Sequence, residues 1–390
     1  MVPLASEKRA LWIIVASATL TVMAGAILGP VVPQIRDGVG VSDALAGLII
    51  TTHGAFIVLA SPLAGAAVDR FGPRRPYLVG LVVYAVGGGA GLFVDDFLPL
   101  LVSRAVLGVG VAFVYTGITV LIYELYEGGR MDRALGLRTG ANSVGAATWP
   151  LVGGALGVLS WNAPFGVYLI ALPLGAVAFF AVPETDSGTR RSGTDEPEDT
   201  ASVFSVLRRR PALVFVYLLY LWANVLLYAV VVFYPTFLEE LGVTSSFTVG
   251  LYLAVNGVAG GVSATAYDRL KRRVGSRVLV LAAFVLWTAA FGVASFATSL
   301  VAAVVPVVLF GLGLGLVFPS AFVWVEGLAP ESMRGRLSSY VASFGFTGQF
   351  LSPVVFGPLV VPFGVRGVFV TASGSAIVGV AALVYAVKRG

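Results

Sequence analysis

The chain has 390 residues, of which 58% are hydrophobic and only 12% charged, and its mean hydropathy is +0.93. A soluble globular protein averages about 45–50% apolar and about 25% charged residues, so this composition predicts a multi-pass membrane protein. With no cysteine and one histidine, the chain excludes thiolate metal centres and disulfides, and we expect neither a metal nor a cofactor. The net charge of +5 is scattered over short segments, so we expect no nucleic-acid partner.

Twelve apolar runs follow one another along the chain, each about as long as the 20 residues that a spanning helix needs. The first begins just after Lys8 and Arg9 and is too long for a signal peptide, so we expect it to be retained as a span. The fold prediction is an all-α membrane protein with twelve transmembrane helices, at residues 11–34, 45–68, 77–95, 98–123, 135–158, 164–182, 212–236, 246–267, 277–296, 300–325, 337–360 and 365–387.

One long polar stretch interrupts the series. Residues 183–210 are rich in Ser, Thr, Pro, Asp and Glu, a composition typical of a flexible linker. We therefore predict an N-terminal six-helix bundle over 1–182, a cytoplasmic linker over 183–210 and a C-terminal six-helix bundle over 211–390.

The basic residues predict the orientation. If the N-terminus is cytoplasmic, 22 of the 25 Lys and Arg residues lie on the inner side. Arg36 and Arg366 lie outside, and Arg104 lies within a span. This asymmetry follows the positive-inside rule and predicts cytoplasmic termini in a multi-pass plasma-membrane protein.

The two halves resemble each other. Residues 107–115 align with 310–318, and residues 133–154 align with 336–357 without a gap. Duplicated six-span bundles are what a transporter that rocks about a central site requires.

The turn after the second run, "GAAVDRFGPRRP" at 65–76, concentrates charge in an apolar chain. An acid at a helix end is stabilised by nearby cations and by the amide end of a neighbouring helix. The pattern resembles the signature loop of the major facilitator superfamily (MFS). The resemblance implies a conformational latch in which the arginines engage Glu124, at the inner end of span 4, and the loop contributes Gly65, Asp69, Arg70, Gly72, Arg74 and Arg75.

A second copy of this loop lies at 264–277, with Asp268 and Arg269, and Glu326 is the matching inner-end acid. It has Ala264 in place of the glycine and four extra residues before the next glycine. In both loops the charges could instead serve only to set the orientation.

Two further patterns lie in the first half. "RAVLGVG" at 104–110 resembles the family's arginine-glycine motif, and an arginine within a span should face a cavity or a partner; snorkelling to the outer surface is the alternative. On span 5, the residues Gly136, Gly145, Pro150, Gly153 and Gly154 resemble the glycine-proline motif of the antiporter and drug-efflux branches. Trp149 replaces the glycine usual before the proline and should fill the close-packing groove, and a plain packing helix is the alternative.

Polar residues near the span centres are the candidate substrate cavity. Amides and phenols on one face suit a partly apolar ligand that needs a few directed hydrogen bonds, whereas hydrogen bonding between helices is the alternative. The candidates are Arg104, Tyr115, Asn142, Tyr220, Asn224, Tyr228, Asn256 and Gln349.

The spans contain no Asp or Glu near their centres, and His53 on span 2 is a candidate proton carrier. The resemblance implies a monomeric secondary transporter in the lipid bilayer, not an enzyme, that binds a small molecule and works by alternating access. Within that class we expect proton-coupled efflux of amphipathic neutral or weakly acidic compounds. Uptake of an organic anion or nutrient is one alternative, and a membrane sensor that does not transport is another.

Overall fold

The computed structural model describes residues 4–184 and 203–389, and throughout these two ranges the chain is helical and forms no strand. Four short 3-10 segments accompany the α-helices, at Gly29–Val31, Ala90–Leu92, Ala163–Ile170 and Glu331–Met333. The α-helices are α1 Leu4–Ala26, α2 Val32–Val39, α3 Asp43–Phe71, α4 Arg74–Gly89, α5 Phe97–Leu125, α6 Gly129–Gly157, α7 Ala171–Ala181, α8 Val203–Arg209, α9 Pro211–Glu240, α10 Ser246–Phe296, α11 Val304–Leu328 and α12 Arg334–Arg389.

Every predicted apolar run lies mainly in helical structure, although a few run ends such as 93–95 and 300–303 do not, and the runs and the helices do not correspond one to one. α10 and α12 each cover two runs, and each has one residue of non-helical backbone, Gly275 (φ 78°) and Gly364 (φ 66°). Such a positive φ is accessible to glycine at little cost, so the helix direction changes there.

Eight helical segments of the described ranges are long and apolar enough to cross a membrane. Two of them, within α10 and α12, have 51 and 52 residues, and such a helix is more than twice as long as the hydrocarbon core is thick. Twelve crossings, with both termini inside, therefore stay a prediction.

The described residues divide into two compact units. Unit 1 is drawn from Met1–Ser42, Leu48–Asp195 and Ser245–Gly250, and unit 2 from Asp43–Gly47, Glu196–Thr244 and Leu251–Gly390. The polar stretch 183–210 is not irregular throughout, because its last part forms α8, whose Val206 is buried in unit 2. Residues 185–202 of the predicted linker lie outside the described residues.

In unit 1, α4 packs along α5, and α1 packs against α5 and α6. Small residues allow the first contact: a Cβ atom at Gly87 of α4 would lie 2.4 Å from the amide nitrogen of Leu107 of α5. In the interior, Tyr84 and Tyr168 have ring centroids 5.7 Å apart. Close approach of backbones is typical of helices that associate within a membrane.

In unit 2, α9 packs along α12 and also contacts α11. Aromatic rings fill the space between helices: Trp287 stacks on Phe310 at 5.1 Å, and Phe291 stacks on Phe369 at 6.1 Å. A second cluster, around Tyr217, lies at the end of unit 2 where α8 is found.

Large apolar side chains are exposed on both units, among them Leu59, Leu63, Phe180 and Val361. So many exposed apolar side chains would be unfavourable in water and are expected where helices face lipid.

Candidate functional site

The signature loop joins α3 to α4 in unit 1. Gly72 has a φ of +74°, so a side chain there would be strained and the tight turn favours glycine. Asp69 and Arg70 are exposed, and the Arg70 guanidinium lies 5.2 Å from the ring centroid of Phe71. A Cβ at Gly65 would meet nothing within 4 Å, so packing does not explain this glycine.

The two later arginines of the loop have an acidic partner that the sequence analysis did not identify. Arg74 Nη1 lies 3.0 Å from Glu184 Oε1, and Arg75 Nη2 lies 3.7 Å from the same oxygen. Arg74 also donates to the carbonyl oxygen of Phe179 and lies over its ring. The loop is therefore tied to the end of α7.

Glu124, the expected partner of these arginines, is half-buried at the end of α5. Its Oε2 atom is buried and accepts no hydrogen bond from the described residues. This oxygen is thus available to a donor, while Arg74 is engaged by Glu184. The latch role of Glu124 stays a prediction.

The second-half copy has a different setting. Asp268, Arg269 and Glu326 are all exposed in unit 2. Exposed charges of this kind are well solvated and need no partner, so a latch role for these three residues also stays a prediction.

Arg104 is fully buried in unit 1. Its Nη2 donates to the carbonyl oxygen of Ala24, its guanidinium lies 5.0 Å from the ring centroid of Tyr168, and the Tyr168 hydroxyl donates to the same carbonyl at 2.9 Å. Ala24 lies in the last turn of α1, where carbonyls lack helical partners and a cation is favourable. Arg104 thus braces a helix end and does not extend to the outer surface, and its role in a substrate cavity stays a prediction.

His53 is also buried in unit 1. Its Nδ1 is 2.7 Å from the carbonyl oxygen of Ile50 in the preceding turn. A Cβ at Gly108 would lie 2.4 Å from the His53 carbonyl oxygen, so α3 and α5 are in close contact here. The contacts are those of a packing residue, and proton coupling through His53 stays a prediction.

The polar surface of unit 1 lies between α5 and α6. Arg138 of α6 lies over the ring of Tyr115 at 4.6 Å and donates to Thr119 Oγ1 at 2.9 Å. Asn142 lies one turn further along α6, and its Oδ1 is buried without a hydrogen-bond partner in the described residues. The structure therefore places half-buried Arg138 on Tyr115, with Asn142 one turn away on α6.

In unit 2, α9 and α12 share a small polar network. Gln349 Nε2 is 3.4 Å from Asn224 Oδ1, and Asn224 Nδ2 donates to the Tyr220 carbonyl at 2.9 Å. The Asn224 side chain is only 2% exposed, and both of these hydrogen-bond partners belong to unit 2. The Tyr220 ring packs 5.2 Å from that of Phe318.

The other two unit 2 candidates are less closely associated with this network. Tyr228 is buried one turn beyond Asn224 on α9. Asn256 is buried on α10 with its Oδ1 unbonded in the described residues, and a Cβ at Gly311 of α11 would lie 2.3 Å from the Asn256 carbonyl oxygen.

The glycine-proline motif of α6 forms a tightly packed surface. A Cβ at Gly153 would lie 1.8 Å from the carbonyl oxygen of Ile27, and one at Gly154 would lie 2.5 Å from that of Ser246. Ser246 donates to the Gly154 carbonyl at 2.8 Å. A Cβ at Gly250 would in turn lie 2.5 Å from the Pro150 carbonyl oxygen.

Trp149 does not fill this surface, contrary to our expectation. Its indole Nε1 donates to the Thr19 carbonyl at 3.0 Å, and the ring lies close to Gly145, one turn back on α6. The ring therefore points to α1 and leaves Gly153 and Gly154 free to contact backbone.

Sequence reasoning missed Glu184, Arg138 and Tyr168. Arg138 was counted only as a basic residue of an inner loop, although it lies one turn before Asn142 on α6. That spacing, which puts both on one helix face, was a usable signal. The contacts of Glu184 and Tyr168 join residues more than 100 positions apart in the chain, and no local pattern predicts them.

Comparison with known proteins gives a consistent result. The family model of the Major Facilitator Superfamily matches residues 14–353 and 245–390. Multidrug efflux protein YfmO of Bacillus subtilis is 26% identical over 366 residues, which cover 91% of this chain and 87% of that protein. Multidrug resistance protein 1 of the same organism is 24% identical over 338 residues, covering 85% and 83%.

Among solved structures, that of the nucleoside transporter NupG has a TM-score of 0.82 at 13% identity, covering 97% of this chain and 99% of that one. At this identity the likeness concerns the fold. The resemblance predicted from the signature loop, with relatives among the efflux proteins, is thereby confirmed.

Proposed function

Because the chain belongs to the major facilitator superfamily, we propose that it exports small amphipathic compounds, neutral or weakly acidic, in exchange for protons. Members of this family are membrane transporters and not enzymes, and the chain is a multi-pass membrane protein. Substrate class, proton coupling and direction are the parts that we propose.

The observation that carries the direction is the likeness to efflux proteins along nearly the whole chain. The relatives named for multidrug efflux and multidrug resistance cover 91% and 85% of it. The match thus includes both halves of the chain. This is expected if the chain shares a transport cycle with these relatives, and not only a single motif.

The polar groups of the spans support the proposed substrate class. The twelve apolar runs contain no Asp or Glu near their centres, so a strongly cationic substrate would find no carboxylate in the middle of the membrane. Unit 1 instead offers Arg138 over Tyr115, with Asn142 one turn away. A half-buried cation with neutral hydrogen-bonding neighbours suits an anionic or neutral polar group on an otherwise apolar molecule.

The signature loop supports alternating access. We assign Asp69 and the loop arginines to the inner latch, in which Arg74 exchanges Glu184 for Glu124 during the cycle. Both acids lie in unit 1, and the Glu124 Oε2 atom has no donor among the described residues while Arg74 is bound to Glu184. A charge with two alternative acidic partners gives the two discrete arrangements that a switch requires.

The proposed function is tested in inverted membrane vesicles that contain the protein. Respiration pumps protons into the vesicle lumen, and a pH-sensitive dye reports the resulting gradient. A panel of cationic, neutral and weakly acidic amphipathic compounds is added in turn. We expect the neutral and acidic members to release protons and restore the dye signal, and vesicles carrying Asp69→Asn to give little recovery. Recovery with cationic members alone would contradict the substrate class, and recovery with none would contradict proton antiport.

Uptake of an organic anion is the second candidate, and Arg138 is the observation that favours it. The two functions differ in direction. With a proton gradient directed into the cell, an anion symporter concentrates its substrate inside intact cells, whereas the proposed exporter lowers its cellular content.

A further inference from the structure

The inner end of unit 2 carries a larger net positive charge than the inner end of unit 1. Segments 208–210, 269–277 and 334–336 hold ten Lys and Arg residues, and the acids near them among the described residues are Asp268, Glu326 and Glu331. The corresponding segments of unit 1 hold eight basic and five acidic residues, at 8–9, 69–75, 124–138 and Glu184. Both ends satisfy the positive-inside rule, so the excess in unit 2 calls for a separate explanation.

The three basic segments lie side by side. Arg210 donates to the carbonyl oxygen of Leu328 at the end of α11, and Trp324 of α11 donates to Ser276 Oγ at 2.7 Å. Val206 of α8 is buried in one cluster with Met333 and Leu337. The end of α11 is thus in contact with all three segments.

Residues 203–389 neutralise few of these cations. Of the ten, within the described part of the chain, Arg334 alone forms an ion pair, with Glu331, and both side chains are at least half exposed. In unit 1, by contrast, Glu184 pairs with both Arg74 and Arg75. The inner end of unit 2, defined by the three segments, therefore presents an open cationic surface.

α8 adds an apolar element to this surface. Its Val206 is buried and its Val203 and Leu207 pack on the same cluster, whereas Phe204 is 74% exposed. Phe204 and Arg208 are four residues apart and share the opposite face of the helix. An exposed aromatic ring next to arginines is typical of a helix lying in the membrane interface.

We propose that this surface, formed by α8 and the three basic segments, binds the headgroups of anionic phospholipids in the inner leaflet. The arginines pair with the lipid phosphates, and Phe204 inserts among the acyl chains beside them. A juxtamembrane Lys or Arg contributes about a fivefold preference for anionic lipid, and several act together here. The inference requires only the predicted orientation and is independent of what the protein transports.

The absence of cysteine makes a direct test practical. Phe204→Cys in the full chain is labelled with a fluorescent dye, and the protein is reconstituted into phosphatidylcholine vesicles with about 30% phosphatidylglycerol. Either lipid is supplied in brominated form, which quenches the dye on contact. A label at Leu63→Cys, an exposed position of α3 in unit 1, reports on lipid away from the surface.

With quenching expressed per mole of brominated lipid, we expect phosphatidylglycerol to quench the label at position 204 about fivefold more effectively than phosphatidylcholine. By the same measure, the two lipids should quench the label at position 63 about equally. Changing Arg208, Arg209, Arg272 and Arg273 together to Gln should bring the ratio at position 204 close to one. The matched control changes Lys8, Arg9, Arg130 and Arg133 to Gln and should leave that ratio unchanged.

Raising the salt concentration tests the inference without any arginine substitution, because added ions screen exposed charges. The ratio at position 204 should fall as salt rises from about 0.05 M to about 0.5 M. Equal quenching by the two lipids at low salt, or a preference that survives both the four substitutions and high salt, would overturn the inference.

Discussion

Arg104 shows how a single charge can be held inside a span without an acidic partner. The sequence indicates that an arginine in a span must meet a polar group, but not which one. In the structure that group is the Ala24 carbonyl, in the last turn of α1, shared with the Tyr168 hydroxyl. No carboxylate is needed, because the end of a helix carries partial negative charge.

Arg104→Ala should therefore destabilise the protein. The substitution leaves the Ala24 carbonyl with one donor fewer and removes a cation from the Tyr168 ring. Together these changes should lower the free energy of unfolding by about 2–4 kcal/mol. The apparent midpoint of thermal unfolding, followed by tryptophan fluorescence in detergent, should fall by several degrees. Arg133→Ala, at an exposed position, should change it little. Normal stability combined with lost substrate affinity would place Arg104 in the binding site instead.

Arg138 is the residue that we assign to substrate recognition. Arg138→Gln should raise the KM for weakly acidic compounds about tenfold, a loss of about 1.4 kcal/mol of binding. The KM of neutral compounds should change less than about twofold, because they do not use the charge. Transport kinetics in vesicles give both values, and Arg133→Gln on the same helix is the control. An equal loss for both classes would indicate a structural role for Arg138.

The spacing of the glycines in α6 follows from two faces of the helix that contact different neighbours. One face carries Trp149, which binds the Thr19 carbonyl, and another carries Gly153 and Gly154, which contact the Ile27 and Ser246 carbonyls. The large ring and the small residues thus contact different neighbours. The presence of Trp149, where the family motif has glycine, therefore leaves the packed surface of Gly153 and Gly154 intact.

Gly153→Ala should be destabilising, whereas Gly140→Ala should not. A Cβ at Gly153 would lie 1.8 Å from a backbone oxygen, so the helices would have to separate, at about 1–3 kcal/mol. A Cβ at Gly140 would meet nothing within 4 Å, and alanine favours the helix there by about 0.5–1 kcal/mol. Thermal unfolding of the two variants in parallel measures the difference. Equal midpoints would contradict the close contact at Gly153.

The sequence predicts helices well here because composition settles the class: in lipid, an apolar run must satisfy its backbone as a helix. It also locates the breaks within α10 and α12, because Gly275 and Gly364 are the one glycine in each of the gaps 268–276 and 361–364 between predicted runs. It does not predict the partner of Arg74, since Glu184 is 110 positions away and at the edge of a stretch that reads as a linker.

The proposed transport cycle depends on a latch that moves. Asp69→Asn should slow transport about tenfold or more, because it removes a charge that stabilises one conformation of the cycle over the other. A tenfold change corresponds to about 1.4 kcal/mol. Substrate affinity, measured by tryptophan quenching, should stay within about twofold. Asp132→Asn, an exposed acid at the start of α6, is the control. Unchanged turnover in Asp69→Asn would contradict the latch.

We propose that a proton gradient drives export, and substrate accumulation in inverted vesicles under an imposed pH gradient measures this coupling. The vesicle lumen, which corresponds to the outside of the cell, is made acidic, and the content of a fluorescent weakly acidic amphipath is followed. We predict accumulation above the external concentration, its collapse on adding a protonophore, and its near absence in vesicles that carry Asp69→Asn. Accumulation that is indifferent to the gradient, or that requires an alkaline lumen, would contradict the account.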